Sequence, residues 1–424
     1  MTPGLLLLTA AARAQDPGAL TLDRAVALAL EHHPVLTVAR AGLDEARADQ
    51  GITRSRLLPR VSATASVVYL EPDRLSPISL STPTGVPTLY AEEQYAGLVA
   101  RQLLFDGSVL PSLRSANVGV DVAVLGVTSA EAETRFAATL AFVRLLEAEA
   151  TVGVAEDAVE RQAAFEELVS RLGALDKATR LDLLKARAQR LEAERVLVGA
   201  AETRALAEVQ LRNVLGVAPA SPLVLEGELR RELEPPPAEA ALYIDAASHS
   251  PALAAQTTRA RQAELGVRTA WGEHLPDLSL AASYGYRNRD VGGGADEYVV
   301  AASLEWPLFS GLAIDAQVDR SRAKQVAAEA ATVALGDQLR LDVRQALAAW
   351  RTAVATVQAA AATVEVDQEA VEASAALFEA GKATTLDVLT SQADLARAEG
   401  ALVQAYGDYA VARASVVRLT GRAP

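Results

Sequence analysis

Residues 19–216 of the chain are repeated, in order, as residues 236–421. Matching landmarks are Pro34 and Pro251, Pro59 and Pro276, Phe105 and Phe309, Asp182 and Asp387, and Gly216 and Gly421. Partners lie 217 residues apart at the prolines and 204 or 205 apart at the later landmarks, so the first copy is 13 residues longer between Pro59 and Phe105. Such a repeat requires both copies to fold to the same unit, with the length difference in a loop.

The composition favours long helices over a thick globular core. Half of the 424 residues are hydrophobic, but only 4% are aromatic, which is typical of close-packed helices. The formal net charge of −14 argues against a nucleic-acid partner, because neutralising phosphates requires clustered Lys and Arg. The absence of cysteine excludes disulfides, cysteine–metal sites and an N-terminal lipid on cysteine.

The first 14 residues have the pattern of a secretory signal. Leu5–Leu8 begin an apolar run, and Ala12-Arg13-Ala14 is an A-x-A-like cleavage site. A disordered terminus is the alternative. No other stretch reaches the roughly 18 apolar residues that a membrane helix needs.

Each copy has four parts, and the first two are a helical segment and a hairpin. The helical segments are Leu22–Leu57 and Ala241–Leu275, each interrupted by a proline near its start. Apolar and polar residues alternate in Val61–Tyr69, Leu278–Tyr286 and Tyr298–Trp306, and less clearly in Gln94–Gln102. This period of two predicts hairpins at about 61–105 and 277–306.

The third and fourth parts are a very long helix and a return helix. We predict long helices over 108–171 and 312–379, and return helices over 181–215 and 386–419. A linker over 217–239 joins the two copies, and the second repeat runs from 240 to 421. Large apolar residues recur in steps of three and four from Val343 to Phe378, which indicates a coiled-coil seam. A seam of small residues from Leu386 to Val417 predicts close packing of the return helix on its own long helix.

The strands are about nine residues long, which is the length of a tilted membrane-crossing strand. Strands in lipid need both neighbours, and four strands are too few to close a barrel, so a membrane role implies an oligomer, with a trimer supplying 12 strands. Six of the nine tyrosines fall in the hairpins, as in interfacial girdles: Tyr69, Tyr90, Tyr95, Tyr284, Tyr286 and Tyr298. We expect the lipid-facing residues to include Leu280, Ala282, Tyr284, Val300, Leu304 and Trp306. A soluble hairpin domain that caps a coiled coil is the alternative.

The order of helix, hairpin, long helix and return helix, twice over, resembles the TolC-like outer-membrane efflux proteins. So do "LTLDRAVALALEHHP", "WPLFSG" and "EAGKATTLDVLTSQADLARAE". The resemblance covers nearly the whole chain. It implies a mainly α protein with a small β part, forming a homotrimeric α-barrel that continues a 12-stranded barrel in outer-membrane lipid and extends into the periplasm of a Gram-negative-type cell. A periplasmic adaptor protein and an inner-membrane pump would be its partners.

The resemblance also implies functional positions at the helix–helix turns. Adaptor contacts are expected at the tips, around Arg171, Gly173, Leu175, Gly381 and Lys382. The family often has a tip glycine, which Gly381 matches, whereas the first copy has Asp176 at that position. Some members carry two aspartates one turn apart at the periplasmic gate. Asp387 fits the first, and Thr390 replaces the second. Asp182 is the first-copy counterpart, and we expect it to pair with nearby basic residues such as Arg180.

An enzyme is not indicated. The adjacent His32 and His33 do not form a spaced ligand set, so no metal is expected. Gly292–Gly294 lacks the context of a phosphate loop and is expected at a hairpin tip. No cofactor is implied. Three classes remain: a passive export duct of a tripartite efflux or type I secretion system, a stand-alone outer-membrane porin, and a soluble structural coiled coil.

Overall fold

The computed structural model describes residues 19–69, 92–218, 223–229, 232–289 and 293–420. The signal-like segment, Tyr90, Gly292 and the loop that holds the extra residues of the first copy lie outside these ranges. The chain forms two compact units. One comprises Met1–Ala39, Val127–Pro251 and Gly336–Pro424, and the other comprises Arg40–Gly126 and Ala252–Leu335.

Eight helices lie in the described ranges: α1 Leu22–His32, α2 Pro34–Ser55, α3 Val109–Ala174, α4 Arg180–Leu215, α5 Glu239–His249, α6 Pro251–Gly272, α7 Ala313–Glu379 and α8 Thr385–Thr420. Pro34 and Pro251 begin α2 and α6, where a proline's missing N–H costs nothing. The long helices α3 and α7 have 66 and 67 residues, or about 100 Å at 1.5 Å per residue. None of the described helices is long and apolar enough to cross a membrane.

The first unit is held together by the helix seams. Leu211 and Leu215 of α4 are fully buried in a cluster with Phe142 and Leu145 of α3 and with Ala29 of α1. The linker joins this cluster through a parallel bridge, because the Leu20 amide donates to the Val224 carbonyl at 2.7 Å.

The predicted α7 seam is buried only in its first half. Val343, Leu347, Trp350 and Val357 are buried, and the Trp350 ring meets Tyr409 of α8 edge-on at 6.3 Å. Farther along, Ala361 and Gln368 are exposed, and the other members of the seam are only half-buried. The described part of the chain therefore covers this half of the seam incompletely.

The partner that we predicted for the small-residue seam of α8 was wrong. A Cβ on Gly407, a member of that seam, would lie 2.5 Å from the Glu147 carboxylate of α3, so the seam faces the long helix of the other copy there. The contact with α7 is made instead by neighbouring positions such as Tyr409. Periodicity marks an apolar face, but it does not identify the helix that covers that face.

The second unit contains a four-stranded antiparallel sheet in the order β1-β2-β3-β4. The strands are β1 Arg60–Tyr69, β2 Glu92–Phe105, β3 Asp277–Arg289 and β4 Gly293–Glu305. The weakly alternating run is part of β2, which also contains an irregularity between Leu103 and Phe105. Trp306, which we had placed in the last strand, lies one residue beyond β4, and its Nε1 donates to the His274 carbonyl at 3.1 Å.

Candidate functional site: the sheet faces and the helix tips

One face of the sheet is apolar and open. Directly paired residues of antiparallel strands share a face, and the register pairs Leu280 with Ala302, Ala282 with Val300, Tyr284 with Tyr298, and Leu278 with Leu304. The side chains of Tyr284, Val300 and Leu304 are 59%, 66% and 66% exposed. The six candidate lipid-facing residues therefore share one face, except for Trp306, which lies beyond the strand.

The other face is polar, and it holds a cluster that the sequence analysis missed. Arg287 of β3 forms ion pairs with Glu93 of β2 and Glu297 of β4, the latter at 2.5 Å. Its guanidinium lies 5.0 Å from the centre of the Tyr95 ring. Towards the other end of the same face, the Ser279 and Ser303 hydroxyls are 2.7 Å apart. The Arg287 cluster joins three strands, and only the strand register could have revealed it.

The two helix tips are built alike around a left-handed residue. Asp176 has a φ of 60° and Gly381 a φ of 71°, at equivalent positions of the two copies. The following amides close both turns, Lys177 onto the Leu172 carbonyl at 2.9 Å and Lys382 onto the Leu377 carbonyl at 2.8 Å. Aspartate tolerates this conformation better than most side chains, which explains how the first tip forms without glycine. Gly173 instead belongs to α3.

The candidate adaptor residues are all exposed at these tips: Arg171, Gly173, Leu175, Gly381 and Lys382. Leu175 is 66% exposed although it is a large apolar residue. Behind the tips, Phe165 and Val169 of α3 form a buried cluster with Val388 and Leu389 of α8, and the Phe165 ring lies 5.3 Å from that of Phe378.

The two candidate gate aspartates are capping residues of the return helices. Asp387 Oδ2 accepts from the Thr384 amide and hydroxyl, both at 2.7 Å, and the Asp387 amide donates back to Thr384 Oγ1 at 3.2 Å. Asp182 forms the same reciprocal bonds with Thr179. Each pair is a capping box that satisfies free amides at a helix start.

These bonds also set the charge of the tips. Hydrogen bonds from the Thr384 amide and hydroxyl lower the pKa of Asp387, and bonds from the Thr179 hydroxyl and amide lower the pKa of Asp182. Smaller effects on the Asp182 pKa come from Thr385 and Lys185, so the basic residue that acts on this carboxyl is Lys185 rather than Arg180. Arg180 and Thr390 are both exposed. Both aspartates are therefore ionised at neutral pH.

In the described ranges no group of His, Cys, Asp and Glu is arranged to hold a metal ion. The main features of the two units are surfaces and edges rather than a cluster of reactive side chains. They are an open apolar sheet face, two sheet edges that have no neighbour among the described residues, and two exposed tips on long paired helices. A duplicated unit with these parts is what the resemblance to outer-membrane channels with long helical extensions implies.

The sequence matches the model of the outer membrane efflux protein family over residues 25–217 and 242–422, and the chain belongs to this family. It is 24% identical over 409 residues to the outer membrane efflux protein BepC of Brucella suis biovar 1 (strain 1330), covering 95% of this chain and 85% of BepC. The family places the protein in the outer membrane, extending into the periplasm.

Solved structures share the fold at low sequence identity. VceC from Vibrio cholerae superimposes with a TM-score of 0.79 at 19% identity, covering 94% of this chain and 96% of that one. The open-state MtrE outer membrane channel of Neisseria gonorrhoeae gives a TM-score of 0.79 at 22% identity, with coverages of 94% and 88%. The family is one of channels rather than enzymes.

Proposed function

We propose that this protein is a passive, homotrimeric export duct, the outer-membrane channel of a tripartite efflux or type I secretion system. Three chains would close their sheets into a 12-stranded barrel in outer-membrane lipid. Their long helices would continue this barrel as a hollow α-barrel across the periplasm. An inner-membrane pump and a periplasmic adaptor protein would supply energy and substrate.

The observation that carries the proposal is the open sheet. The strand order leaves β1 and β4 as edges without a described neighbour, and the apolar face of the sheet is exposed. In hydrocarbon, unpaired backbone groups cost several kcal/mol each, so an open sheet is not viable there. Four strands cannot close on themselves, whereas three copies supply twelve, within the range of known barrels.

The long helices favour the duct over a stand-alone porin. A helix of 66 or 67 residues extends about 100 Å, and a pore confined to the membrane has no use for this length. The exposed tips are consistent with a protein partner, since Leu175 presents apolar surface to solvent. We place the adaptor contact at these tips. We place the closure of the duct at the same end, with Asp387 as its acidic ring.

Arginine substitutions on adjacent residues of β3 test the proposal. Ala282 lies on the apolar face and Ser283 on the polar face, so Ala282→Arg exposes a charge to lipid and Ser283→Arg exposes one to the lumen. We expect Ala282→Arg to impair assembly in outer membranes, at a cost of about 2–4 kcal/mol near the midplane. Ser283→Arg should assemble normally. Equal assembly of both variants would contradict a lipid-facing role for this sheet face.

A further inference from the structure

The Arg287 cluster, formed by Glu93, Tyr95, Arg287 and Glu297, lies at the end of the sheet farthest from the helices. The other end of every strand adjoins a helix, because β1 follows α2, β2 leads into α3, β3 follows α6 and β4 leads into α7. The cluster stands instead beside the two hairpin turns. In the proposed duct the helices extend into the periplasm, so the cluster is at the end that faces the cell exterior.

The polar face is the more covered face of the sheet at this end. On the two central strands the residues of the polar face are buried or half-buried, namely Glu93, Tyr95, Gly97, Gly285 and Arg287. Their neighbours on the apolar face are exposed, namely Gln94, Ala96, Leu98, Tyr284 and Tyr286. A sheet that curls towards one face covers that face, as a sheet that closes into a barrel must. The cluster therefore lines the inner face, which becomes the lumen of the proposed duct.

Tyr95 lies along the sheet instead of projecting into the space in front of it. A Cβ on Gly97 would lie 2.5 Å from the Tyr95 hydroxyl oxygen, and a Cβ on Gly285 would lie 3.0 Å from Cε2 of the same ring. The ring thus occupies the space that side chains at these two paired positions would need. The paired glycines allow a large aromatic residue to line the inner face without narrowing the lumen.

Arg287 is held over this ring by carboxylates from both flanking strands. Glu93 of β2 and Glu297 of β4 form ion pairs with its guanidinium, which lies 5.0 Å from the centre of the Tyr95 ring. The side chain of Glu93 is 13% exposed and that of Glu297 is 40% exposed, so Glu297 is the carboxylate that a passing solute meets. The three charged groups leave one net negative charge, which would become two without Arg287.

The cluster is separated from the other charges of this face. The middle of the face is built from small or uncharged residues such as Ser62, Thr64, Gly97, Val99, Ser283 and Ala301. Charged residues return only at the end next to the helices, at Arg60, Arg101, Asp277 and Glu305. Eight to ten residues of strand separate the two ends, which is roughly 30 Å. The Debye length at 0.1 M salt is about 10 Å, so the two ends act on a solute independently.

We propose that the Arg287 cluster forms a ring of charge inside the outer end of the lumen, in which Arg287 offsets the carboxylates of Glu93 and Glu297 so that cations can leave the duct. This inference rests on the proposed homotrimeric duct and names a residue that determines its selectivity at the exit. Three chains place three such clusters around the lumen. Conduction requires that a solute bind weakly enough to leave, and a ring of unopposed carboxylates would retain cations there.

Two substitutions in the same ion pair separate charge from structure. Arg287→Gln and Glu297→Gln both break the pair between these residues, so a purely structural effect would have the same sign in both variants. An effect of charge has opposite signs. In planar-bilayer recordings at low salt, where screening is weak, we expect Arg287→Gln to raise the permeability ratio of K⁺ over Cl⁻ by about twofold. Glu297→Gln should lower this ratio by about the same factor.

Neighbouring residues of β4 supply the matched control. Asp296 and Glu297 carry the same charge on opposite faces, because Asp296 pairs with Tyr286 and Glu297 pairs with Gly285. Asp296→Asn should therefore leave the permeability ratio unchanged. Arg287→Lys keeps the positive charge and should restore the ratio of the native protein. Glu297→Gln and Asp296→Asn both keep Arg287, so this comparison decides the question if Arg287→Gln does not assemble.

Block by Mg²⁺ locates the ring. Mg²⁺ added on the side of the hairpin turns should block Arg287→Gln at a concentration about threefold lower than it blocks the native channel. Mg²⁺ added on the side of the helix tips should block both alike, because the long helices separate the tips from the sheet by about 100 Å.

Three results would overturn the inference and leave the duct standing: no shift in Arg287→Gln, shifts of the same sign in Arg287→Gln and Glu297→Gln, or equal shifts in Glu297→Gln and Asp296→Asn. If the native protein forms no ion-conducting channel, the proposed function fails together with the inference.

Discussion

Asp182 and Asp387 occupy the same position in the two copies and accept the same bond, from the hydroxyl of a threonine three residues earlier, at 2.6 and 2.7 Å. The local role of both carboxylates is thus the same, namely to cap a return helix. A gate role for Asp387 must come from its position in the assembly, since its capping contacts with Thr384 are the same as those of Asp182 with Thr179.

Removing the charge of Asp387 tests this role. Asparagine keeps an acceptor for the cap but removes the negative charge, so Asp387→Asn should lower cation selectivity and weaken block by divalent or trivalent cations. Planar-bilayer recordings of the purified channel measure both quantities. Asp182→Asn is the matched control and should have the smaller effect. Unchanged selectivity and block in Asp387→Asn would place the gate elsewhere.

Acid should loosen both helix caps. The threonine bonds lower the pKa of both carboxyls, so the caps are fully formed above the unfolded-state value near 4 and are lost as the pH falls through the lower folded-state value. We expect amide hydrogen exchange at residues 179–186 and 384–391, corrected for intrinsic rates, to be unchanged between pH 8 and 5 and to rise below about pH 4. In the variant Thr179→Ala/Thr384→Ala, exchange should already be faster at pH 7. Equal protection from exchange at pH 3 and pH 7 in the native protein would contradict a role of the ionised aspartates in capping these helices.

The ion pair between Arg161 and Glu399 should contribute measurably to stability. Its side chains are only 25% and 21% exposed, and it makes two charged hydrogen bonds. We expect Arg161→Ala to cost about 2 kcal/mol in the free energy of unfolding. The control is Arg397→Ala on α8. The Arg397 side chain is 74% exposed beside Asp394, so this substitution should change the free energy of unfolding by less than about 0.5 kcal/mol. If the two substitutions lowered the free energy of unfolding equally in denaturant titrations, the pair between Arg161 and Glu399 would contribute no more than an exposed ion pair.

The tips should capture a periplasmic partner. Leu175 and Lys382 are exposed and lie in the two turns. We expect a photo-cross-linking residue introduced at either position to form a covalent adduct with an adaptor in intact cells. Leu308, which is 83% exposed just after β4, is a control position that should give no such adduct. Adducts from Leu308 alone would contradict adaptor docking at the tips.

Local pattern predicted the elements, and tertiary context determined what they touch. Alternation identified the apolar sheet face, because a strand's period of two is a local property. It did not reveal the ion pairs of Arg287, since these depend on the register of three strands. Steps of three and four located the seam of α8, but Gly407 faces α3 rather than α7. The sequence showed that Asp176 stands where the family often has a glycine, but it did not predict that Asp176 would adopt the left-handed conformation in which the turn closes.

The mass of the purified protein in detergent tests the central claim most directly. The chain has a mass of 44.4 kDa, and native mass spectrometry or light scattering corrected for detergent counts the chains in the particle. A closed barrel of twelve strands and a continuous helical duct require three chains in each particle. A stable particle of one chain would contradict the account, because a single four-stranded sheet cannot close in lipid.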